Sequence, residues 1–533
     1  MNPDLACFAC EIQGREEESL LTNQTSNQEF LEKKINEFRR AYPHAEALLT
    51  YLKRDELRVV RVERGKQGRW SVFCVLPETA QQIFDIDREV LFLATDYEKV
   101  EPRILNELQR LLRENASTEE QLAVLVTVDE QAERLARQRA GETSILVLDA
   151  KLLPSGLPPF RQNLASLLST VDHFNVTTPL TAASAFFGRE RDIASVLQRL
   201  DVGQHTGIFG LRKAGKSSLL NRVSGLEIDR RWAVGNLDLN EYFGTPGRFR
   251  SEVVKALADE VTRLGGNAGR LLSVSAPRGD TVREFWLRDL GAVLDNLGSL
   301  GVAGTLLVID EVDTALPGRT LALDEDEDDL GLLRALSQLR AFVQRRQARG
   351  LLAPVMLCAG VDPSLFEKPK VRGLANPLYQ FASVEFIEPL DRDELQAMVR
   401  TLGKRTGMRF RDSVLIDELL AEYGGHPLLT RQACSFIHRH RPAGEVPYQV
   451  DLQDVMNALE ATGPGTPLEH ALDMPSSFEE WYPDEAEALD VRIKLSREGR
   501  FVADIKGVEH AAAYGLLRTD GSVRMRALTR GIV

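Results

Sequence analysis

The sequence predicts an α/β protein: a parallel sheet covered by helices, then a helical lid and a C-terminal winged helix, with a small α/β, Rossmann-like domain in front. Three observations predict it. Apolar runs at Thr206-Gly-Ile-Phe209, Gly304-Thr-Leu-Leu-Val-Ile309 and Pro354-Val-Met-Leu-Cys-Ala-Gly360 alternate with helical spacing, as strands buried on both faces do. The first run passes through Gly210-Leu-Arg-Lys-Ala-Gly215-Lys216-Ser217 into an amphipathic helix. The second ends in Asp310-Glu311, at the carboxyl end of a strand, where such sheets bind ligands.

At 533 residues the chain is too long for one core, and it divides in order as follows. Residues 1–30 are polar, with a Glu-Glu-Glu run, and read as a loose arm. Residues 31–150 form the first α/β domain. Leu57-Arg-Val-Val-Arg-Val-Glu63 alternates as a strand, Gly65-Lys-Gln-Gly68 turns, and Trp70-Ser-Val-Phe-Cys-Val75 returns, giving a hairpin. Val90–Ala94, Leu122–Thr127 and Ser144–Leu148 are further apolar strands, with helices at Ile104–Leu112 and Glu130–Arg139 between them. Pro154, Pro158 and Pro159 open a connector over 151–180. The parallel-sheet domain runs over 181–390, with Trp232–Asp238 as its second strand, and a helical lid over 391–440. In the last segment, 441–533, a helix near 485–493 and a Thr519-Asp520-Gly521-Ser522 turn between short strands predict the winged helix.

A net charge of −13 argues against a protein coated in nucleic acid, while leaving room for a local basic patch such as Arg518, Arg524, Arg526 and Arg530. There is no apolar run of about 18 residues and no basic, then apolar, leader, so a cytoplasmic chain without membrane spans is expected. Five scattered cysteines suit a reducing compartment; Cys7 and Cys10 form a C-x-x-C with no second pair at zinc spacing and read as ordinary thiols. The acidic run Asp324–Asp329 reads as a solvated loop. The carboxylates of the first domain (Glu63, Asp85, Asp87, Glu89, Asp96) fall into no spacing that suggests catalysis.

The loop 210–217 fits G-x-x-x-x-G-K-[ST] at every fixed position, the P-loop of nucleoside triphosphatases. Gly210 and Gly215 let the backbone curl close to an anion, and the helix start aims N–H groups at it. Lys216 is expected to meet the β- and γ-phosphates, with Arg212, Lys213, Ala214, Gly215 and Ser218 around it. Ser217 and Asp310 are expected to hold Mg²⁺, and Glu311 to orient or deprotonate the attacking water. Asp313 is assigned a structural part.

Phe186-Phe-Gly-Arg-Glu190 before the loop, Leu307-Val-Ile-Asp-Glu-Val-Asp313, Asn376-Pro-Leu-Tyr379 and Gly424-Gly-His-Pro427 together resemble the STAND and archaeal-type ATPases of the AAA+-related P-loop group. The resemblance covers about 185–440 and extends to the winged-helix region, but not to the first 180 residues. It implies that Gly188 and Arg189 pack beside the adenosine and that Pro427 contacts the base. It also implies that Asp362 senses the γ-phosphate and that Arg372 is an arginine finger for a neighbouring subunit. A winged helix in this setting implies control of opening rather than DNA binding. His426 reads as a turn residue. The family's long C-terminal repeats have no counterpart here, so sensing is expected in the N-terminal domain or a partner, or the protein is a simpler ATPase.

The expected function is an ATP- and Mg²⁺-dependent switch ATPase that forms homo-oligomers, in defence or signalling by resemblance, with the first domain as effector or partner-binding module. Two other readings stand beside it: a DNA-associated AAA+-type ATPase, and a scaffold in which nucleotide is structural. No base-reading N/T-K-x-D follows Asp310, which favours adenine over guanine.

Overall fold

The structure is a computed structural model describing residues 28–530 apart from 85, 116, 140–142, 181–184, 243–244, 275–284, 317–330, 372 and 443–444. Cys7, Cys10, Asp324–Asp329 and Arg372 therefore lie outside the described residues. The chain forms two compact units: one of residues 1–173, 400–411 and 438–450, the other of 174–399, 412–437 and 451–533. No described helix is long and apolar enough to cross a membrane.

The first unit begins with helices α1 (28–41) and α2 (Ala45–Arg54), then strands β1 (Arg58–Arg64) and β2 (Trp70–Val75), helix α3 (Glu78–Phe84) and strand β3 (Glu89–Ala94). Helix α4 (Pro102–Glu114), strand β4 (Thr118–Thr127), helix α5 (Ala132–Arg139), strand β5 (Ser144–Asp149) and helix α6 (Phe160–Thr170) follow. The strands lie in sequence order, β1-β2-β3-β4-β5. The first three run antiparallel and only β3, β4 and β5 are parallel, so the sheet is Rossmann-like over its second half alone. The five residues between β1 and β2 permit only a hairpin, and β3–β4 and β4–β5 are each bridged by a helix; β2 and β3 pair antiparallel although α3 also lies between them. Alternation along β3 places Val90, Phe92 and Ala94 in one core with Trp70 and Phe160, and Leu91 and Leu93 in another with Ile104 and Leu108. Both faces are thus buried.

The second unit holds α7 (Glu190–Asp201), β6 (Thr206–Phe209), α8 (Lys216–Asp229), β7 (Ala233–Asp238), α9 (Pro246–Arg263), α10 (Gly291–Ser299), β8 (Thr305–Asp310), α11 (Gly331–Gln347), β9 (Val355–Gly360) and β10 (Ser383–Phe386). The sheet order is β10-β6-β9-β8-β7, and every pairing is parallel. The P-loop strand β6 is therefore interior, with β9 and then β8 beside it, so the ends of all three strands open onto one place.

Helices α12 (Arg392–Arg405), α13 (Ser413–Tyr423) and α14 (Pro427–His440) come next. They are followed by α15 (Leu452–Glu460), α16 (Pro467–Leu472), α17 (Met474–Glu479), α18 (Pro483–Arg497) and α19 (Glu509–Ala513). The expected C-terminal hairpin narrows to one bridge, Leu517 with Val523. Its turn packs so tightly that a Cβ on Gly521 would lie 2.2 Å from Val502 O.

Candidate nucleotide site

β6 delivers the chain to Gly210, where a Cβ would lie 2.4 Å from Ile387 Cγ2, so only glycine fits. The loop turns through Lys213 (φ 65°) and Gly215 (φ 103°), both left-handed, and Gly215 caps α8 without any side chain taking the first N–H groups. Those donors, at the positive end of the helix, suit an anion.

Lys216 is 6 % exposed, and its Nζ donates to Gly210 O (2.8 Å) and Leu211 O (3.1 Å). Burial pulls its ammonium below the ordinary lysine range, against the opposing pull of Glu311, Asp313 and Asp310. Ser217 Oγ donates to Asp310 Oδ2 at 2.6 Å. Ser218 Oγ accepts from Leu180 N and Asn221 Nδ2 donates to Leu180 O, which ties the connector to α8. Lys213 Nζ donates to Thr177 O in the same connector.

Glu311 follows Asp310 with φ 51°, a strained conformation for a glutamate, and its N–H donates to Asp310 Oδ1 at 2.9 Å. Burial first, then Asp313, raises the Glu311 carboxyl above its usual range. Asp313 is 1 % exposed, and its Oδ2 accepts from Val361 N (3.0 Å) and Asp362 N (3.3 Å), joining the end of β8 to the end of β9. Burial raises its carboxyl too, opposed by those backbone N–H groups.

A cavity of about 550 Å³ lies over the loop. Arg212, Lys213, Gly215, Lys216, Ser217, Ser218, Glu311, Asp313 and Arg189 line it, with Pro427 on the lid. Its size suits a nucleotide. Most of the residues expected from sequence meet here. Arg189 is 5 % exposed and donates to Glu388 O (2.6 Å) and Ala214 O (3.1 Å). Its own N–H donates to Glu394 Oε1 (2.8 Å), and Gly188 (φ 69°) is glycine because a Cβ would meet Glu394 at 2.7 Å. Gly210, Ala214, Asp310 and Gly188 support the cavity without lining it. Asp362 is not brought to the cavity; its Oδ1 accepts from Ser364 N at 2.8 Å. His426 is buried with its imidazole pulled down to about 4, so it is neutral at physiological pH. Asn376 is a turn brace, with Nδ2 donating to Leu365 O and Lys368 O.

Sequence reasoning missed Arg431, on α14 one turn beyond Pro427, and Glu480 and Trp481, at the end of α17 and just beyond it; all three line the cavity. Arg431 carried a signal, lying four residues after the lid proline on one helical face. Trp481 carried none, being far along the chain in a segment with no motif.

A hydroxyl and a carboxylate in contact, Ser217 and Asp310, are the hard oxygen donors that Mg²⁺ takes beside phosphates. No group of three or more His, Cys, Asp or Glu side chains that could hold a metal occurs among the described residues.

Three of the four arginines proposed as a basic patch are already engaged by the protein itself, though Arg518 and Arg526 remain exposed. Arg526 donates to Glu422 and Glu418, each at 2.7 Å, and Arg530 to Glu422 (2.9 Å) and Leu459 O (2.7 Å). Arg518 donates to Val523 O at 2.9 Å, and Arg524 is half-buried.

Among solved structures, the chain is similar to a Walker-type ATPase of Pyrococcus abyssi: 17 % identity, 67 % of this chain and 98 % of that one, TM-score 0.44. It is also similar to the ORC2 protein of Aeropyrum pernix (14 %, 67 % and 95 %, TM-score 0.40) and to Cdc6p of Pyrobaculum aerophilum (14 %, 64 % and 83 %, TM-score 0.33). No curated protein matches the sequence. The profile of the family described as Novel STAND NTPase 1 matches residues 179–445, which hold the P-loop, the Asp310-Glu311 strand end and the lid proline, and the chain belongs to that family.

Proposed function

We propose that this protein is a switch ATPase that binds and slowly hydrolyses Mg·ATP. The observation that carries the reading is the convergence of Lys216, the Ser217–Asp310 pair and Glu311 on one cavity walled also by Pro427 and Arg431 of the lid and by Glu480 and Trp481 beyond it. Lys216 bonds two loop carbonyls in this state, and turning Nζ toward a β,γ-bridging phosphate exchanges those bonds for stronger charge-assisted ones. Mg²⁺, when bound, neutralises phosphate oxygens as charge develops on them. Glu311, basic for a carboxylate because it is buried, takes the proton of the attacking water. The backbone N–H groups at the start of α8 and Arg212 hold the phosphates in line.

Because the lid and the 480–481 segment form walls of the same cavity, nucleotide state biases how they close, and closure is the switch. We assign to that switch the control of homo-oligomer assembly, with Arg372 acting on a neighbouring subunit, and to the first unit the effector or partner-binding part. The biological setting consistent with the family resemblance is bacterial defence or signalling. DNA binding is the weaker reading, since Arg526 and Arg530 already neutralise buried Glu422.

Size-exclusion chromatography with light scattering tests this on wild type and Glu311→Gln, with and without Mg·ATP. We expect assembly with ATP, held longest in Glu311→Gln. A single unchanged species in every condition removes self-assembly, and absent nucleotide binding removes the whole reading.

A further inference from the structure

Asp313 and two distant tyrosines hold opposite sides of one peptide group. The group joins Val361 to Asp362, immediately after β9. Its N–H donates to Asp313 Oδ2 at 3.3 Å, and its C=O accepts from Tyr514 Oη. Tyr514 Oη is in turn 2.9 Å from Tyr482 Oη. The result is an unbroken hydrogen-bonded chain from Tyr482, one residue past Trp481 in the cavity wall, through Tyr514 and the peptide to Asp313, which lines the same cavity.

The chain is rigidly mounted. Tyr514 is 5 % exposed and Val361 1 %, so water does not compete for these bonds. Phe386, at the end of β10, meets the Tyr514 ring edge-on at 5.5 Å, and His510 stacks on Tyr482 at 4.2 Å. Glu485 holds His510 through both ring Nδ1 and backbone N–H. At the other end, Gly360 leaves room for the carboxylate: a Cβ there would lie 2.6 Å from Asp313 Oδ1, which has no hydrogen-bond partner among the described residues. In a low-dielectric interior, successive hydrogen bonds polarise one another, so donation from Tyr514 to the C=O strengthens what the N–H gives to Asp313.

We infer that Tyr514 and Tyr482 are positioning residues of the hydrolytic site, acting through the 361–362 peptide to fix the Asp313 carboxylate beside Glu311 and Lys216. The inference rests on the ATPase reading and adds the route by which the C-terminal segment reads and sets that site.

The test is a cycle of Tyr514→Phe, Asp313→Asn and the double variant, with Tyr482→Phe as the milder substitution should Tyr514→Phe fold poorly. Steady-state kcat and KM are measured, with Mg·ATP and Mg·ADP affinities by calorimetry. Tyr514→Phe is expected to lower kcat about tenfold with KM and ADP affinity within about twofold. Tyr482→Phe should act in the same direction, and Tyr514→Phe should add nothing in the Asp313→Asn background. If turnover is too slow to follow, the ratio of ATP to ADP affinity carries the same comparison. Unchanged kcat and affinity ratio in both tyrosine variants, or effects that simply add to those of Asp313→Asn, overturn the inference while leaving the ATPase reading standing. A wild type that binds neither nucleotide overturns the reading itself.

Discussion

Glu311 carries two costs at once, a left-handed backbone and a buried carboxylate, at the position where the proposed chemistry needs a base. Such a residue trades stability for function. Its folded pKa is raised above the unfolded value, so what it contributes to stability is present at low pH and lost as pH rises through the folded pKa; at neutral pH its charge is a burden. Glu311→Gln should therefore raise Tm at pH 7 by about 2 °C while lowering kcat about 10²- to 10³-fold with ATP affinity kept. A calorimetric scan and a phosphate-release assay check both, and a variant that hydrolyses normally removes Glu311 as the base. The same raised pKa sets the pH profile: kcat should fall on acidification along a limb lying above that of an ordinary glutamate, because the protonated acid takes no proton. Lys216→Ala differs in kind. It removes the cation the cavity is built around, and ATP binding by titration should weaken at least about 100-fold, since hydrogen bonds to a charged group are worth roughly 1.5–3 kcal/mol each.

Among the elements, glycines separate what the fold needs from what it tolerates. Gly425 (φ 86°) turns the chain into α14, and a Cβ there would lie 2.1 Å from Leu390 O, whose own N–H donates to Gly425 O. Gly463 (φ 118°) would meet nothing within 4 Å. Gly425→Ala should cost more than about 3 kcal/mol, combining backbone strain with a clash against main chain, and Gly463→Ala only about 1 kcal/mol from strain alone. Denaturant melts of the two, side by side, decide it; equal costs would mean that the turn at 424–427 yields. The Gly-Gly-His-Pro turn was legible in the sequence because its residue types announce it, as were β6, β8 and β9, whose apolar runs end in the loop, in Asp310-Glu311 and in Gly360. The order of β1–β5 was legible only in part: the hairpin residues showed, but nothing in residues 90–148 says that β3 also pairs antiparallel with β2. Asp362 was expected in the site because it follows β9, yet the side chain there turns to Ser364 N and its backbone N–H, not its carboxylate, links it to Asp313. Trp481 and Tyr514 reach the site through tertiary packing, which no local pattern records.

At the scale of the molecule, the chain enters its first unit three times, and Val446 of the last visit packs against the core built from residues 38–168. Met408 is fully buried and Phe410 and Val450 are each 2 % exposed. Arg409 Nη2 donates to Ile83 O at 2.8 Å, and Arg441 joins Thr406 O (2.8 Å) to Ser169 O (3.2 Å). At Gly407 (φ 69°) a Cβ would lie 2.9 Å from Val446 Cγ1. A cut at the 151–180 connector, where composition alone would divide the chain, therefore strips partners from segments 400–411 and 438–450 and exposes their apolar side chains to water. Each such side chain, once uncovered, forfeits about 1.5–3 kcal/mol of burial. A fragment of residues 174–533 should consequently melt well below the full chain or aggregate, although every residue lining the cavity remains in it. Replacing Met408 and Phe410 by polar residues in that fragment should recover solubility and nucleotide binding together. Differential scanning calorimetry of the full chain, the fragment and the polar variant distinguishes the cases: a fragment as stable as the parent would show that 400–411 and 438–450 fold without the sheet of the first unit.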